Sequence, residues 1–250
     1  MAALPLIDVP GGRVEYDDVP GDPALGPLLF LHEGLGSVGL WRGFHHRIAA
    51  ATGRRAVAYS RLGHGYSDLT TDKRAPRFMH DEATIVVPAL CAALELQRPV
   101  LVGHSDGASI ALLTREVSAM VVMAPHVIVE EVGLRGIDTA RRAYTEGGLR
   151  ARMSRHHRDP DITFWNWNEV WLDDAFRDWD LRPELAAITC PVLAIQGTAD
   201  PYGTVAHVEA IRDSARGPVE LLVLDGGHAP HEEHPEVVER AITTFLAPLG

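Results

Sequence analysis

Short apolar runs recur along the chain and alternate with stretches in which apolar residues fall at helical spacing. The runs predict strands near 4–9, 13–17, 27–32, 55–60, 99–104, 118–124, 191–197 and 219–224. The first two are close enough to form a hairpin; the rest are separated by segments long enough for crossover helices, expected near 40–51, 79–97, 106–116, 203–215 and 234–247. This alternation reads as an α/β fold, a mostly parallel central sheet of about eight strands with helices on both faces. One interval breaks the rhythm. Between Pro125 and Pro191 about sixty residues with helical pattern and many tryptophans stand where one crossover would suffice. The expectation is a core of residues 1–125 and 190–250 with a helical cap inserted at 126–189.

Composition narrows the classes of function. With 250 residues, 46% hydrophobic and 23% charged, the chain can bury a large core, and disorder or fibrous structure can be set aside. Lys+Arg 23 against Asp+Glu 34 gives a net charge of -11, which repels nucleic acid and anionic membrane. The first residues carry no basic start and no stretch approaches the roughly 20 apolar residues of a membrane span, so a cytoplasmic protein is expected. Cys91 and Cys190 fit reduced thiols better than a disulfide framework. Lys73 is the sole lysine, which removes most Schiff-base and phosphate-loop chemistry. A homodimer is the expectation from the general frequency of such assemblies.

The chemistry centres on Gly103-His104-Ser105-Asp106-Gly107, a G-x-S-x-G run placed where a strand gives way to a helix. A serine on such a turn projects its hydroxyl above the sheet, and its neighbours must be small to let strand and helix approach. Adjacent side chains diverge there, so His104 and Asp106 cannot both serve Ser105 and its partners must come from elsewhere. The Asp106 backbone N–H, by contrast, faces the position of a developing oxyanion. Asp200 follows one later strand and His228 the next, in the order nucleophile, acid, histidine. Asp200 could also be a turn residue before Pro201, and His228 competes with His231 and His234. A metal site built from those three histidines is not expected, because Pro230 and Pro235 interrupt the stretch.

Together with HEGLGS at 32–37, SRLGHGYSD at 60–68, GTADPYG at 197–203 and GGHAPH at 226–231, this elbow resembles the α/β-hydrolase superfamily over essentially the whole chain. The resemblance implies Ser105 as nucleophile, Asp200 as acid and His228 as base, with no cofactor. It implies an oxyanion hole from the N–H of Asp106 and one from the HEGLG loop, Gly34 first and Leu35 behind it. Related sequences have His-Gly where this one has His32-Glu33. The Glu33 carboxylate is expected to turn toward Arg61 or a histidine in a salt bridge, a direct substrate contact being the alternative.

The expected reaction is hydrolysis of a small carboxylic ester, lactone or thioester through an acyl-serine. Cleavage of a carbon–carbon bond in a dicarbonyl acid, as in related ring-degradation hydrolases, would use the same triad. A ligand-binding scaffold with little turnover is a further reading. Gly34-x-Gly36-x-x-Gly39 with Arg61 also admits an NADP-dependent oxidoreductase, against which stands the lack of any Tyr-x-x-x-Lys.

Seven of the sixteen aromatic residues fall in the inserted segment, and Trp165 and Trp171 are expected to line the pocket beside Glu33 and Leu35. Residues 135–158 carry seven arginines against Asp138 and Glu146. A solvated face explains them; the sharper alternative is an arginine that reaches a substrate carboxylate or phosphate.

Overall fold

The structure, a computed structural model, describes residues 3–70 and 72–249. All eight expected strands form: β1 (Leu6–Val9), β2 (Gly12–Val19), β3 (Leu28–Leu31), β4 (Ala56–Tyr59), β5 (Val100–His104), β6 (Ala119–Met123), β7 (Val192–Gly197) and β8 (Val219–Leu224). They make one sheet in the order β1-β2-β4-β3-β5-β6-β7-β8. The β1–β2 hairpin is antiparallel and β2 runs antiparallel to β4; every pairing from β4 to β8 is parallel.

Central strands are apolar on both sides because both sheet faces are covered, so alternation sorts residues between two cores. In β3, Leu29 and Leu31 join one core and Leu28 and Phe30 the other. The second core is closed by α1 (Phe44–Thr52) and α11 (Pro235–Leu246), through Phe44, Ile48, Val238, Ile242 and Phe245. The first is closed by α2 (Phe78–Asp81), α3 (Val87–Ala93), α4 (Asp106–Leu113) and α9 (Ala206–Ser214). Between β6 and β7 lie α5 (Glu131–Thr145), α6 (Leu149–Met153), α7 (Pro160–Trp171) and α8 (Arg182–Leu185), and α10 (Pro230–Glu233) precedes α11.

Three helices depart from expectation. The one foreseen at 40–51 is cut in two, because Arg42 and Gly43 take positive φ (48° and 74°) between the 3₁₀ turn Val38–Trp41 and α1. The one foreseen at 79–97 ends at Ala93 and passes through a π segment at Glu82–Val86. Pro88 stands two residues past its end, and a residue without an N–H is a recognised cause of such a widened turn. The helix foreseen at 106–116 stops at Leu113.

Candidate active site

Ser105 sits at φ 53° and ψ −119° between β5 and α4, a left-handed conformation that costs an L-residue about 1–3 kcal/mol. Its neighbours make the turn feasible. A Cβ on Gly103 would overlap the Gly107 carbonyl, and one on Gly107 would overlap the carbonyl of Leu31 in β3. Ser105 N–H donates to Met123 O at 2.9 Å, which fastens the turn to β6. Asp106 opens α4, so its backbone N–H is one that no helical carbonyl reaches.

Asp200 and His228 follow β7 and β8 at the same sheet edge. His228 Nδ1 lies 2.9 and 2.8 Å from the two oxygens of Asp200, whose side chain is 1% exposed. Gln196 Nε2 donates to Asp200 Oδ2 at 2.8 Å and Tyr202 N–H to Oδ1 at 2.8 Å. Burial opposes ionisation of Asp200, but the His228 contact and the Tyr202 N–H outweigh it and hold the carboxyl below its ordinary range. The turn carrying His228 is tied by Glu233, which accepts from Gly227 N–H at 2.6 Å and Ala229 N–H at 3.1 Å. Neither alternative histidine joins the site: His231 packs beside Trp41 and Phe44, and His234 Nε2 donates to Asp225 O.

The loop after β3 is held by its carbonyls. Arg61 Nη1 donates to His32 O at 2.6 Å and Nη2 to Glu33 O at 2.8 Å; His64 Nε2 donates to Gly34 O at 3.0 Å and His157 Nε2 to Leu35 O at 2.9 Å. Four successive carbonyls are thus engaged by side chains, which fixes the peptide planes on which Gly34 and Leu35 present their N–H groups. His157 Nδ1 accepts from Gly65 N–H at 3.0 Å, so the ring must be neutral to make both bonds. Burial enforces this by pushing His157 down to about 4. His32 is likewise neutral, accepting Arg61 N–H at Nε2 and donating from Nδ1 to Glu33 O. Its burial, with the Arg61 charge nearby, keeps it well below the ordinary imidazole range. His64 and His157 were not foreseen as site residues. Only the HG pair of SRLGHG hinted at the first, and nothing local marked the second.

Glu33 finds a histidine rather than Arg61. Its Oε2 lies 3.7 Å from His104 Nδ1, an ion-pair distance too long for a hydrogen bond, while His104 Nε2 donates to His228 O at 2.7 Å. Burial works against both charges. The pairing nevertheless lifts His104 above its ordinary value and holds Glu33 below its own. His104 therefore connects Glu33 to the backbone of His228.

These elements surround one cavity of about 210 Å³ whose walls include Ser105, Asp106, His228, Glu33, Gly34 and Leu35, with His126, Gly133, Ile137, Trp167, Trp171 and Tyr202. A larger cleft of about 1150 Å³, between Ala83 and Val117, contains none of the candidate site residues. Trp171 faces the cavity as expected, but Trp165 does not. It packs against Tyr144 and Phe164 with Arg141 over its ring. The reason is helical phase: Trp167 and Trp171 are four residues apart on one face of α7, and Trp165 is two residues, roughly 200°, away from Trp167. That spacing was the available signal for Trp167. His126 and Tyr202 had a weaker one, each lying just past the C-terminal end of a strand.

The seven arginines of 135–158 supply none of the cavity wall. Arg141 donates to Asn168, and Arg142 and Arg150 pair with Asp138 and Asp161. The glycine pattern at 34–39 is not a dinucleotide loop either. A Cβ on Gly34 would overlap the Trp167 indole and one on Gly36 the Glu33 carboxylate, and α1 starts only at Phe44, past the turn a pyrophosphate would need. Away from the cavity, Asp17, His45 and His46 place metal-type donor atoms within 4.8 Å of one another. His45 and His46 both hydrogen-bond Asp17, which accounts for that group.

The family model described as "Alpha/beta hydrolase family" matches residues 28–241, and the chain belongs to that family. It is 26% identical over 220 residues to a probable cadicidin biosynthesis thioesterase of Streptomyces griseus, covering 82% of this chain and 59% of that protein. Two solved structures share the fold. An esterase from Exiguobacterium antarcticum superposes with a TM-score of 0.77 at 19% identity, over 97% of this chain and 99% of the other. A meta-cleavage product hydrolase from Pseudomonas fluorescens IP01 gives 0.77 at 17% identity, over 99% of each chain. Among the described residues no helix is long and apolar enough to cross a membrane.

Proposed function

We propose that this protein is a serine hydrolase that cleaves a small carboxylic ester, lactone or thioester through an acyl-enzyme, with residues 126–189 as a cap over the site. The observation that carries the reading is that His228, held by Asp200 at 2.8–2.9 Å, lines the same cavity as Ser105 on its strained turn. Ser105 Oγ attacks the carbonyl carbon as His228 Nε2 takes its proton. Asp200 fixes the Nδ1–H tautomer and stabilises the imidazolium. Backbone N–H groups of Asp106 and Gly34 receive the oxyanion, and the pinned carbonyls of 32–35 keep the second donor in place without reorganisation. The protonated His228 then supplies the leaving alcohol or thiol with its proton. Water, deprotonated by the same histidine, releases the acid.

A hydrolase acting on a dicarbonyl acid would use the same three side chains, but its anionic substrate calls for a cation. Among the described residues the cavity wall carries Glu33 and Asp106 and no lysine or arginine, which favours the ester reading. Cys91 and Cys190, both free, fit a protein of a reducing compartment such as the cytoplasm. The test is a fluorophosphonate label together with hydrolysis of p-nitrophenyl acetate. Both should occur in the native protein and vanish in Ser105→Ala. Labelling elsewhere, or undiminished turnover in that variant, overturns the assignment.

A further inference from the structure

The wall around Ser105 holds a carboxyl group that the hydrolytic steps above do not use. Asp106 is 1% exposed and lines the cavity, yet only half of its carboxyl group is engaged. Oδ1 accepts from Trp171 Nε1 at 3.2 Å, whereas Oδ2 has no hydrogen-bond partner among the described residues. That free oxygen lies 3.1 Å from where a Cβ on Gly34 would stand, beside the second proposed oxyanion donor. The nearest cations act on it only at a distance: Arg61 binds the His32 and Glu33 carbonyls through Nη1 and Nη2 and Arg74 the His64 ring through Nη2, and neither guanidinium hydrogen-bonds Oδ2, although Arg61 Nε and Arg74 Nη1 are themselves buried without partners among the described residues. Burial raises the Asp106 carboxyl above its ordinary range against the pull of both arginines.

Leaving one oxygen of a buried carboxylate without a donor forfeits its hydration with nothing in return, and such groups in native folds call for an explanation. A negative charge next to an oxyanion hole also opposes the charge that develops during acylation. Both costs are removed by one event, the arrival of a substrate that brings a positive hydrogen-bond donor. Nothing else on the wall competes for that donor more closely. Glu33 is paired with His104, Asp200 is saturated, and His126, forced neutral by burial, adds no positive charge. The remaining surface, Ile137, Trp167 and Trp171, is apolar or aromatic.

We propose that the Asp106 carboxylate recognises an ammonium group carried on the acyl part of the substrate, near the scissile carbonyl, so that this enzyme selects aminoacyl-type esters over neutral and anionic ones. This rests on the ester-hydrolase reading above. The reach follows from the chain itself. Asp106 adjoins Ser105 and its own N–H is a proposed donor to the carbonyl oxygen, so its side chain meets only the first atoms of the acyl group. The Trp171 bond holds Oδ1 and leaves Oδ2 as the oxygen without a donor, beside Gly34. The ammonium makes a charge-assisted bond and neutralises the carboxylate as the oxyanion forms, so its effect falls on kcat as well as KM.

The experiment compares alanine methyl ester, methyl propionate and monomethyl succinate by methanol release at about pH 6.5, where the amine is protonated. An α-ammonium activates a carbonyl by itself, so the readout is the ratio of kcat/KM for the first two esters in native protein against Asp106→Asn. Asparagine keeps the acceptor for Trp171 and removes the charge. The ratio should fall about tenfold or more in the variant, the worth of one charge-assisted hydrogen bond, and monomethyl succinate should be the poorest substrate of the native protein. A ratio unchanged within about threefold, or native kcat/KM higher for methyl propionate than for alanine methyl ester, overturns the proposal. Should Asp106→Asn fail to fold, native turnover of methyl propionate should be inhibited by n-propylammonium and not by 1-propanol; equal inhibition overturns it. Failure of the underlying reading looks different, with no fluorophosphonate label on Ser105. A labelled Ser105 with an indifferent ratio sinks only the recognition of the ammonium.

Discussion

Two aspartates of one site, Asp106 on the cavity wall and Asp200 behind His228, live in opposite surroundings. Asp200, after β7, receives a donor on each oxygen from Gln196 and the Tyr202 N–H, and faces His228 with both; Asp106, at the start of α4, receives one bond from Trp171 and has a bare second oxygen. Both are nearly inaccessible, so burial opposes either charge. What offsets burial decides the outcome: the His228 contact and the Tyr202 N–H take Asp200 below its ordinary range, whereas burial outweighs the arginine charges and the single Trp171 bond and leaves Asp106 above its own. A carboxylate whose valences are filled by the fold is a fixed part of the machinery. One that is left open reports what the fold expects to receive.

The largest effect should come from emptying the saturated side. Asp200→Asn leaves the shape intact but lets His228 settle in the wrong tautomer, and kcat should drop by about 10³–10⁴-fold. A loss smaller than about tenfold would break the contrast, because Asp200 would then matter no more than a wall residue. Its depressed value also has a sign in pH. The Asp200 contribution is complete above the ordinary carboxylate range and is lost only as pH falls through the lower folded value, so a fall in rate on the near-neutral side must have another origin.

Gly34→Ala tests the open side by filling it. The new methyl would overlap the Trp167 indole and crowd Asp106 Oδ2, so the loop must shift and carry its N–H with it. Displacing one oxyanion donor should lower kcat by about 10²-fold, and overpacking should cost about 1–3 kcal/mol of stability. Unaltered kinetics with a folded protein would place the second donor elsewhere, Leu35 being next in line.

Glu33 stands between the two aspartates in character, with a single ion pair at 3.7 Å. In Glu33→Gln the loss should be about 1–2 kcal/mol, seen as a Tm lower by about 2–8 °C in a chain of this size, with kcat reduced several-fold because His104 also holds the His228 carbonyl. A kcat loss as deep as that of Asp200→Asn would show Glu33 acting on the substrate itself.

The smallest effect is expected at His157. Its folded value, about 4, lies below that of a free imidazole, so the stability it contributes is complete above about pH 6.5 and is lost as pH falls through about 4. His157→Gln keeps a donor for Leu35 O but cannot titrate. The decline of Tm between those pH values should be shallower in the variant, and parallel curves would remove His157 from the account.

How much of this could be read from the residues differs from element to element. All eight strands, and the order Ser105, Asp200, His228, followed from local patterns, because a strand buried on both faces must be apolar throughout and an elbow must have small flanking residues. Helix ends were less legible: the break at Gly43 and the π segment before Pro88 depend on how backbone hydrogen bonds redistribute over a turn, which apolar spacing does not register. The four-residue spacing of Trp167 and Trp171 marks one face of α7, and helical phase sets Trp165 on another.

What the sequence alone determined is therefore the sheet and the positions of Ser105, Asp200 and His228 just past the ends of three of its strands, since both rest on steric and hydrophobic rules that act over a few residues. Only the tertiary structure decided that Glu33 faces His104 across 71 positions, that His157 grips Leu35 across 122, and that Asp106 has one donor where Asp200 has several. Those outcomes depend on which buried polar atoms meet once distant segments pack, and a buried donor or acceptor takes its partner from whatever the fold brings within about 3 Å.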